Sequence, residues 1–263
     1  MELIHPVSAI LDPLAARYTS WLTLPAGLVH DTSDEDPDQV RAMPIVLRVE
    51  RADPPGRTPL LEAAAAAALA VCLDPRAEPG GEWHEEVTAW IAGRIRKVSR
   101  RARGAHWAAV QELPGVTVRV GDAEARALVP GRVVDSPREL SRLQISGSEL
   151  PEDEPGPVPP GVPVLLLNPV VPMTAGKAAA QVGHATMLLA AALRASANED
   201  ALAKWATEEF RCAVRTPDKA TWDALHPGQD PAAAWQDRRV VAVRDAGFTE
   251  VDPGTVTVLA QWP

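Results

Sequence analysis

One alanine-rich segment with a single polar stripe constrains the fold of this chain more than any other feature. In Gly176-Lys177-Ala178-Ala179-Ala180-Gln181-Val182-Gly183-His184-Ala185, the side chains Lys177, Gln181 and His184 fall at i, i+4, i+7. That spacing stacks them on one helix face, while Ala178, Val182, Ala185 and Leu189 form a neighbouring apolar stripe suited to lie on a sheet. Lys177 stands in the first helical turn, where a cation opposes the positive end of the helix dipole. An anion, a carboxylate partner or a polarised carbonyl is therefore expected to meet it.

Around this helix the pattern alternates between strands and helices. The second part of the chain predicts a strand at 162–167, helices at 176–195 and 200–210, a strand at 211–215 and a short helix at 219–225. Strands follow at 239–244 and 255–260. Asp245 sits where the first of these last two strands ends, a usual place for functional side chains in α/β folds. The fold class expected is α/β, a small mixed β-sheet with helices packed on it.

The earlier part predicts a strand at 45–49, an alanine-rich helix at 60–73 and a long helix from Glu85 to about Gln111. A hairpin of 116–120 with 125–129 follows. Aligning Pro44 with Pro163 superposes a strand and an alanine-rich helix without gaps, placing Thr58, Glu62 and Ala65 opposite Lys177, Gln181 and His184. A divergent internal copy and a coincidence of common motifs are both open readings. Residues 148–161, acidic and proline-rich, read as an extended linker. The division expected is an N-terminal segment 1–43, partly irregular with an acidic loop at 31–38, an accessory α/β domain 44–147, the linker, and a domain 162–263.

Composition sets the outer limits. No run approaches the ~18 apolar residues of a membrane span and the N-terminus lacks a signal-peptide pattern, so a cytoplasmic location without a membrane partner is expected. Cys72 and Cys212 are too far apart for a zinc-binding spacing and read as buried thiols. No HExxH helix, CxxC pair, Walker loop or GxGxxG turn occurs, so neither a metal nor an organic cofactor is expected. The net charge of −9 argues against a nucleic-acid partner. Against it stands the basic cluster Arg94, Arg96, Lys97, Arg100, Arg101 and Arg103, read either as a helix face that contacts RNA phosphates or as a solvated face paired with the chain's own carboxylates.

Two motifs carry a family resemblance. Met173-x-x-Gly176-Lys177-x-Ala179-Ala180-Gln181-x-x-His184-Ala185 follows a strand, and Asp245-Ala246-Gly247-x-Thr249-x-x-x-Pro253-Gly254-x-x-Thr257-Val258-Leu259 lies near the C-terminus. Together, and in this order, they resemble the type 2 (archaeal and eukaryotic type) peptidyl-tRNA hydrolases over about residues 160–263. The resemblance implies hydrolysis of the ester joining a peptide to the terminal ribose of tRNA, with tRNA as the partner. It implies Lys177 as the charge beside the ester, Asp245 as its orienting carboxylate or a polariser of water, and Thr249 and Thr257 as hydroxyls near the ester. Gln181 is implied as a hydrogen-bonding group of the same groove. His184 enters the set as a candidate whose ordinary reading is a packing residue. Either a homodimer fits, or a monomer whose N-terminal domain stands in for the partner.

Three departures bear on activity. Thr174-Ala175 replaces a second lysine, Arg244 replaces a glutamine and is read either as gripping the tRNA backbone or as neutralising Asp245, and Ala260-Gln261-Trp262 replaces a glycine-rich end, a loss of glycines that would narrow the groove. Two other readings therefore stand beside hydrolysis. One is a non-catalytic tRNA-binding or interaction module on the same fold, and the other a related enzyme acting on another aminoacyl-tRNA or amide.

Overall fold

A computed structural model of the protein describes residues 9–145, 150–228 and 230–263. In chain order the elements are α1 (Asp12–Thr23), α2 (Ala26–Val29), β1 (Arg41–Arg48), α3 (Arg57–Cys72), α4 (His84–Ala92), β2 (Lys97–Ala102), α5 (Gly104–Gln111), β3 (Gly115–Val120), β4 (Ala123–Leu128), β5 (Gly131–Arg132) and α6 (Arg138–Ser141). They continue with β6 (Val164–Leu167), α7 (Ala175–Ala195), α8 (Glu199–Thr207), β7 (Ala213–Arg215), α9 (Lys219–Leu225), α10 (Pro231–Arg238), β8 (Val240–Arg244) and β9 (Val256–Gln261). The start of the expected linker, 148–149, and the last two residues of the expected accessory domain, 146–147, lie outside the described residues, as do residues 1–8 of the expected N-terminal segment.

The chain folds as two mixed sheets of matching topology. The first has the order β2-β1-β4-β3, with β5 added beside β1, and the second has the order β7-β6-β9-β8. In each, the strand before the long helix pairs in parallel with one neighbour and antiparallel with the other. A single repeat unit explains both, which favours the reading of the first half as a divergent copy.

Strand alternation divides the apolar residues between two faces of each sheet. Ile45 and Leu47 of β1, with Leu165 and Leu167 of β6, point into one shared core, whereas Val46 and Leu166 point outward. Trp107 of α5 and Leu140 of α6 cover the outer face of the first sheet, and Trp222 of α9 covers that of the second.

Between the sheets lie α3 and α7, back to back. A helix that is apolar almost all round has to be buried, and Leu60, Leu61, Ala63 to Leu69, Val71 and Cys72 of α3 all are. Small side chains let the two backbones approach. A Cβ added at Gly183 would meet the Ala68 methyl at 3.0 Å, and Thr186 donates its hydroxyl to the Ala65 carbonyl at 2.9 Å. Cys72 and Cys212 are both buried thiols, as expected.

Within the partly irregular N-terminal segment, residues 12–23 form a helix: Pro13 fits the first turn, where its missing N–H costs nothing, and Leu14 is buried. One expectation is overturned: 85–111 is not one helix. It breaks at Gly93, and Lys97 to Ala102 of the basic stretch become strand β2, paired with β1 from Met43↔Lys97 to Arg48↔Ala102. The free edge of β1 decides this, because ladder pairing outweighs a weak helical preference. Among the described residues, no helix is long and apolar enough to cross a membrane.

Candidate functional site

The polar stripe of α7 meets the ends of β8 and β9. Thr174 caps the helix, accepting the Lys177 backbone N–H at 3.1 Å. Glu250 accepts from both the N–H and the hydroxyl of Thr174, at 2.9 and 2.7 Å. The departure from a lysine at this position therefore has a structural role: a carboxylate and an N-cap satisfy the start of α7. Neither Thr174 nor Glu250 stands out in sequence as part of the site, although a Thr three residues before the first periodic position is a capping signal.

From that start the Lys177 ammonium reaches Asp245 Oδ2 at 2.6 Å and the Thr249 hydroxyl at 3.0 Å. Gln181 Nε2 donates to the same Asp245 oxygen at 2.8 Å, while Thr257 donates its hydroxyl to Gln181 Oε1 at 2.5 Å. Five of the residues expected at the site thus form one connected network. Lys177 and Asp245 are each more than nine-tenths buried, whereas Thr249 is exposed, so the network opens to solvent on the Thr249 side.

A β-bulge aims Thr257. The β8–β9 register shifts between Val243↔Val258 and Arg244↔Val256, leaving Thr257 as the extra residue. Strict alternation from Leu259 would point Thr257 away from α7; the bulge turns it inward. Asp245 is fixed by the next turn. The Gly247 N–H donates to its Oδ1 at 2.8 Å, and Gly247 has φ +79° with no room for a Cβ, which would lie 2.4 Å from the Pro253 ring.

His184, the last member of the stripe, is not joined to this network. Its Nδ1 lies 3.0 Å from the Lys97 ammonium nitrogen, supplied by β2 of the other half. Burial, then the nearby Lys97 and Lys177, hold its pKa well below the ordinary histidine value, so the ring is neutral. Burial also pushes Lys97 down to about 7. Lys97 lies 5.0 Å from the Trp90 ring centre and is spent on an internal contact.

The rest of the expected RNA-binding set is also largely engaged within the protein. Arg94 pairs with Asp34 and Glu35, Arg96 with Glu35, Arg100 donates to the Leu143 carbonyl at 3.0 Å, and Arg101 to the Gln144 side chain. Arg103 is exposed at the start of α5. Arg244 turns away from the site and donates to the Trp21, Leu22 and Leu24 carbonyls at the end of α1. Its guanidinium serves as a cationic cap on that helix. Of the Ala260-Gln261-Trp262 departure, the large side chain Trp262 lies away from the Lys177–Asp245 network. Trp262 packs edge-on against Trp205 at 5.3 Å, and at about 3.3 Å per residue the five positions beyond Thr257 carry it some 16 Å away.

In the first half, the positions matching the stripe are closed by the chain itself. Asp153 accepts from both the N–H and hydroxyl of Thr58, and Glu62 accepts from the Val214 N–H and Arg215. Burial raises the Glu62 pKa. Among the described residues no cluster of three or more His, Cys, Asp or Glu side chains could hold a metal ion.

Comparison with known proteins agrees with this location. Residues 162–263 match the family described as Peptidyl-tRNA hydrolase PTH2. A protein of Methanopyrus kandleri named peptidyl-tRNA hydrolase is 35% identical over 101 residues, which span 38% of this chain and 82% of that protein. No solved structure gives a significant match.

Proposed function

The chain belongs to the PTH2 family of peptidyl-tRNA hydrolases through residues 162–263, and on that premise we propose that it hydrolyses the ester joining an N-acylated amino acid or peptide to the terminal ribose of tRNA. The observation that carries this reading is the network Thr249–Lys177–Asp245–Gln181–Thr257. Ester hydrolysis needs a nucleophilic water and a donor for the oxyanion that develops on the carbonyl. Lys177 has three N–H donors and spends two of them on Asp245 and Thr249. The third is available to the carbonyl oxygen. Asp245 Oδ2 is filled by two donors, but Oδ1 receives only the Gly247 N–H and keeps a lone pair for water.

The low exposure of the Lys177–Asp245 pair strengthens each of these interactions, since charge is screened less there than in bulk water. A pure binding module has no physical need to bury a lysine and an aspartate and link them through two more polar side chains. The first half stands against α7 as a partner copy would, its own stripe positions filled, which favours one working site per chain. Release of labelled N-acetyl amino acid from N-acetyl-aminoacyl-tRNA by the purified protein, with and without a chelator, tests the proposal. No release overturns it.

A further inference from the structure

Beside the hydrolytic network, on the loop that carries Thr249, one aromatic ring is left in the open. The chain has two phenylalanines. Phe210 is buried against Trp205, but Phe248 is 44% exposed. A lone exposed apolar side chain needs no explanation, yet this one is braced by unusual neighbours. The His30 ring lies 4.8 Å away centre to centre, tilted by 41°, and the Arg96 guanidinium carbon lies 5.2 Å from the ring centre. Each brace is itself held. His30 Nδ1 is 3.0 Å from the Ala246 carbonyl oxygen, and Arg96 is gripped by Glu35 through both of its terminal nitrogens.

An imidazole, a guanidinium and a phenyl ring gathered at a solvent-facing edge are the groups on which proteins stack unpaired bases. The position agrees with this chemistry. Phe248 adjoins Thr249 in the chain, so its Cα lies about 3.8 Å from that of a residue whose hydroxyl touches Lys177. Any ester presented to Lys177 through a terminal ribose brings that ribose's own base to the rim of the site.

We propose that Phe248, braced by His30 and Arg96, is a stacking platform for the unpaired 3′-terminal base of an RNA substrate. The proposal builds on the hydrolase reading above and adds a site for the base. His30 and Arg96 come from parts of the chain outside residues 162–263, so this half of the platform is supplied by the N-terminal region.

The test compares full-length wild type, Phe248→Leu and Phe248→Tyr for affinity toward two short, non-aminoacylated single-stranded RNAs ending in CCA. They are identical except that one has an abasic terminal residue. Stacking on an aromatic side chain is expected to favour the base-bearing RNA by about 5- to 150-fold in the wild type. Leu should erase that preference at nearly equal bulk, and Tyr should keep it. Equal wild-type affinity for both RNAs, or undiminished preference in Phe248→Leu, overturns the platform and leaves the ring to a protein contact. Because these RNAs carry no ester, the measurement is independent of hydrolysis. A wild type that discriminates between them yet releases no amino acid from N-acetyl-aminoacyl-tRNA would sink the hydrolase reading and not this one.

Discussion

The Lys177 ammonium and the Asp245 carboxylate, 68 residues apart in sequence, meet at 2.6 Å in a site where each side chain is less than a tenth exposed. The dipole at the start of α7 disfavours a cation, and the buried carboxylate offsets that cost. The pair thereby joins the helix to the end of β8, and in the proposed reaction it supplies the charged donor for the ester carbonyl.

Lys177→Ala should lower kcat by about 100- to 1,000-fold, the usual cost of one oxyanion donor. It should also reduce stability, because Asp245 would remain buried with only Gln181 and Gly247 as donors. Single-turnover ester cleavage and denaturant unfolding measure the two effects, and a wild-type rate would remove Lys177 from the mechanism. Asp245→Asn keeps the shape without the charge and should also slow cleavage; an unchanged rate would leave Asp245 as a turn residue.

Thr257→Val tests the deepest link. The change preserves shape but leaves Gln181 Oε1 without its buried donor, so a loss of about 1–3 kcal/mol in unfolding free energy is expected. Thr257→Ser should restore most of it. If the valine variant is as stable as wild type, the hydroxyl is not holding Gln181.

Lys97 predicts a pH dependence of stability. Its pKa falls from 10.5 to about 7 on folding, so between these values the unfolded chain binds more protons than the folded one. Stability from this group therefore rises with pH from about 7 to about 10.5 and is flat below 7. Lys97→Met should be more stable than wild type near pH 7, with the gap closing toward pH 10. Urea unfolding at a series of pH values checks this; parallel curves for the two proteins would contradict it.

Arg94, Arg96 and Arg244 are committed to internal partners. Changing Arg94 and Arg244 together to Gln should loosen the 31–35 loop and α1, with little change in the salt dependence of tRNA binding. A fall in the logarithmic salt slope of about 0.7–0.9 per residue would instead show that these arginines contact phosphates.

Much of the second half was legible because its local signals agree. The polar stripe on a small, apolar helix predicts α7 to within one residue at its start, and the β-branched runs predict β8 and β9. Lys177 in a first helical turn already asks for an anion. What sequence could not supply was long-range pairing. The basic stretch Arg94 to Arg103 has helical-looking composition, but the open edge of β1 makes part of it a strand, and carboxylates at 34 and 35 absorb two of its charges.

Local periodicity therefore determined which residues share a helix face or a strand, since that depends on 3.6- and 2-residue repeats alone. Only the tertiary structure decided which faces meet. It set Asp245 against Lys177, turned Thr257 inward through a bulge that breaks the alternation, and gave His184 to Lys97 rather than to the Lys177–Asp245 network. Each of these depends on contacts between segments far apart in the chain, whose geometry is fixed by the packing of two sheets on one shared core.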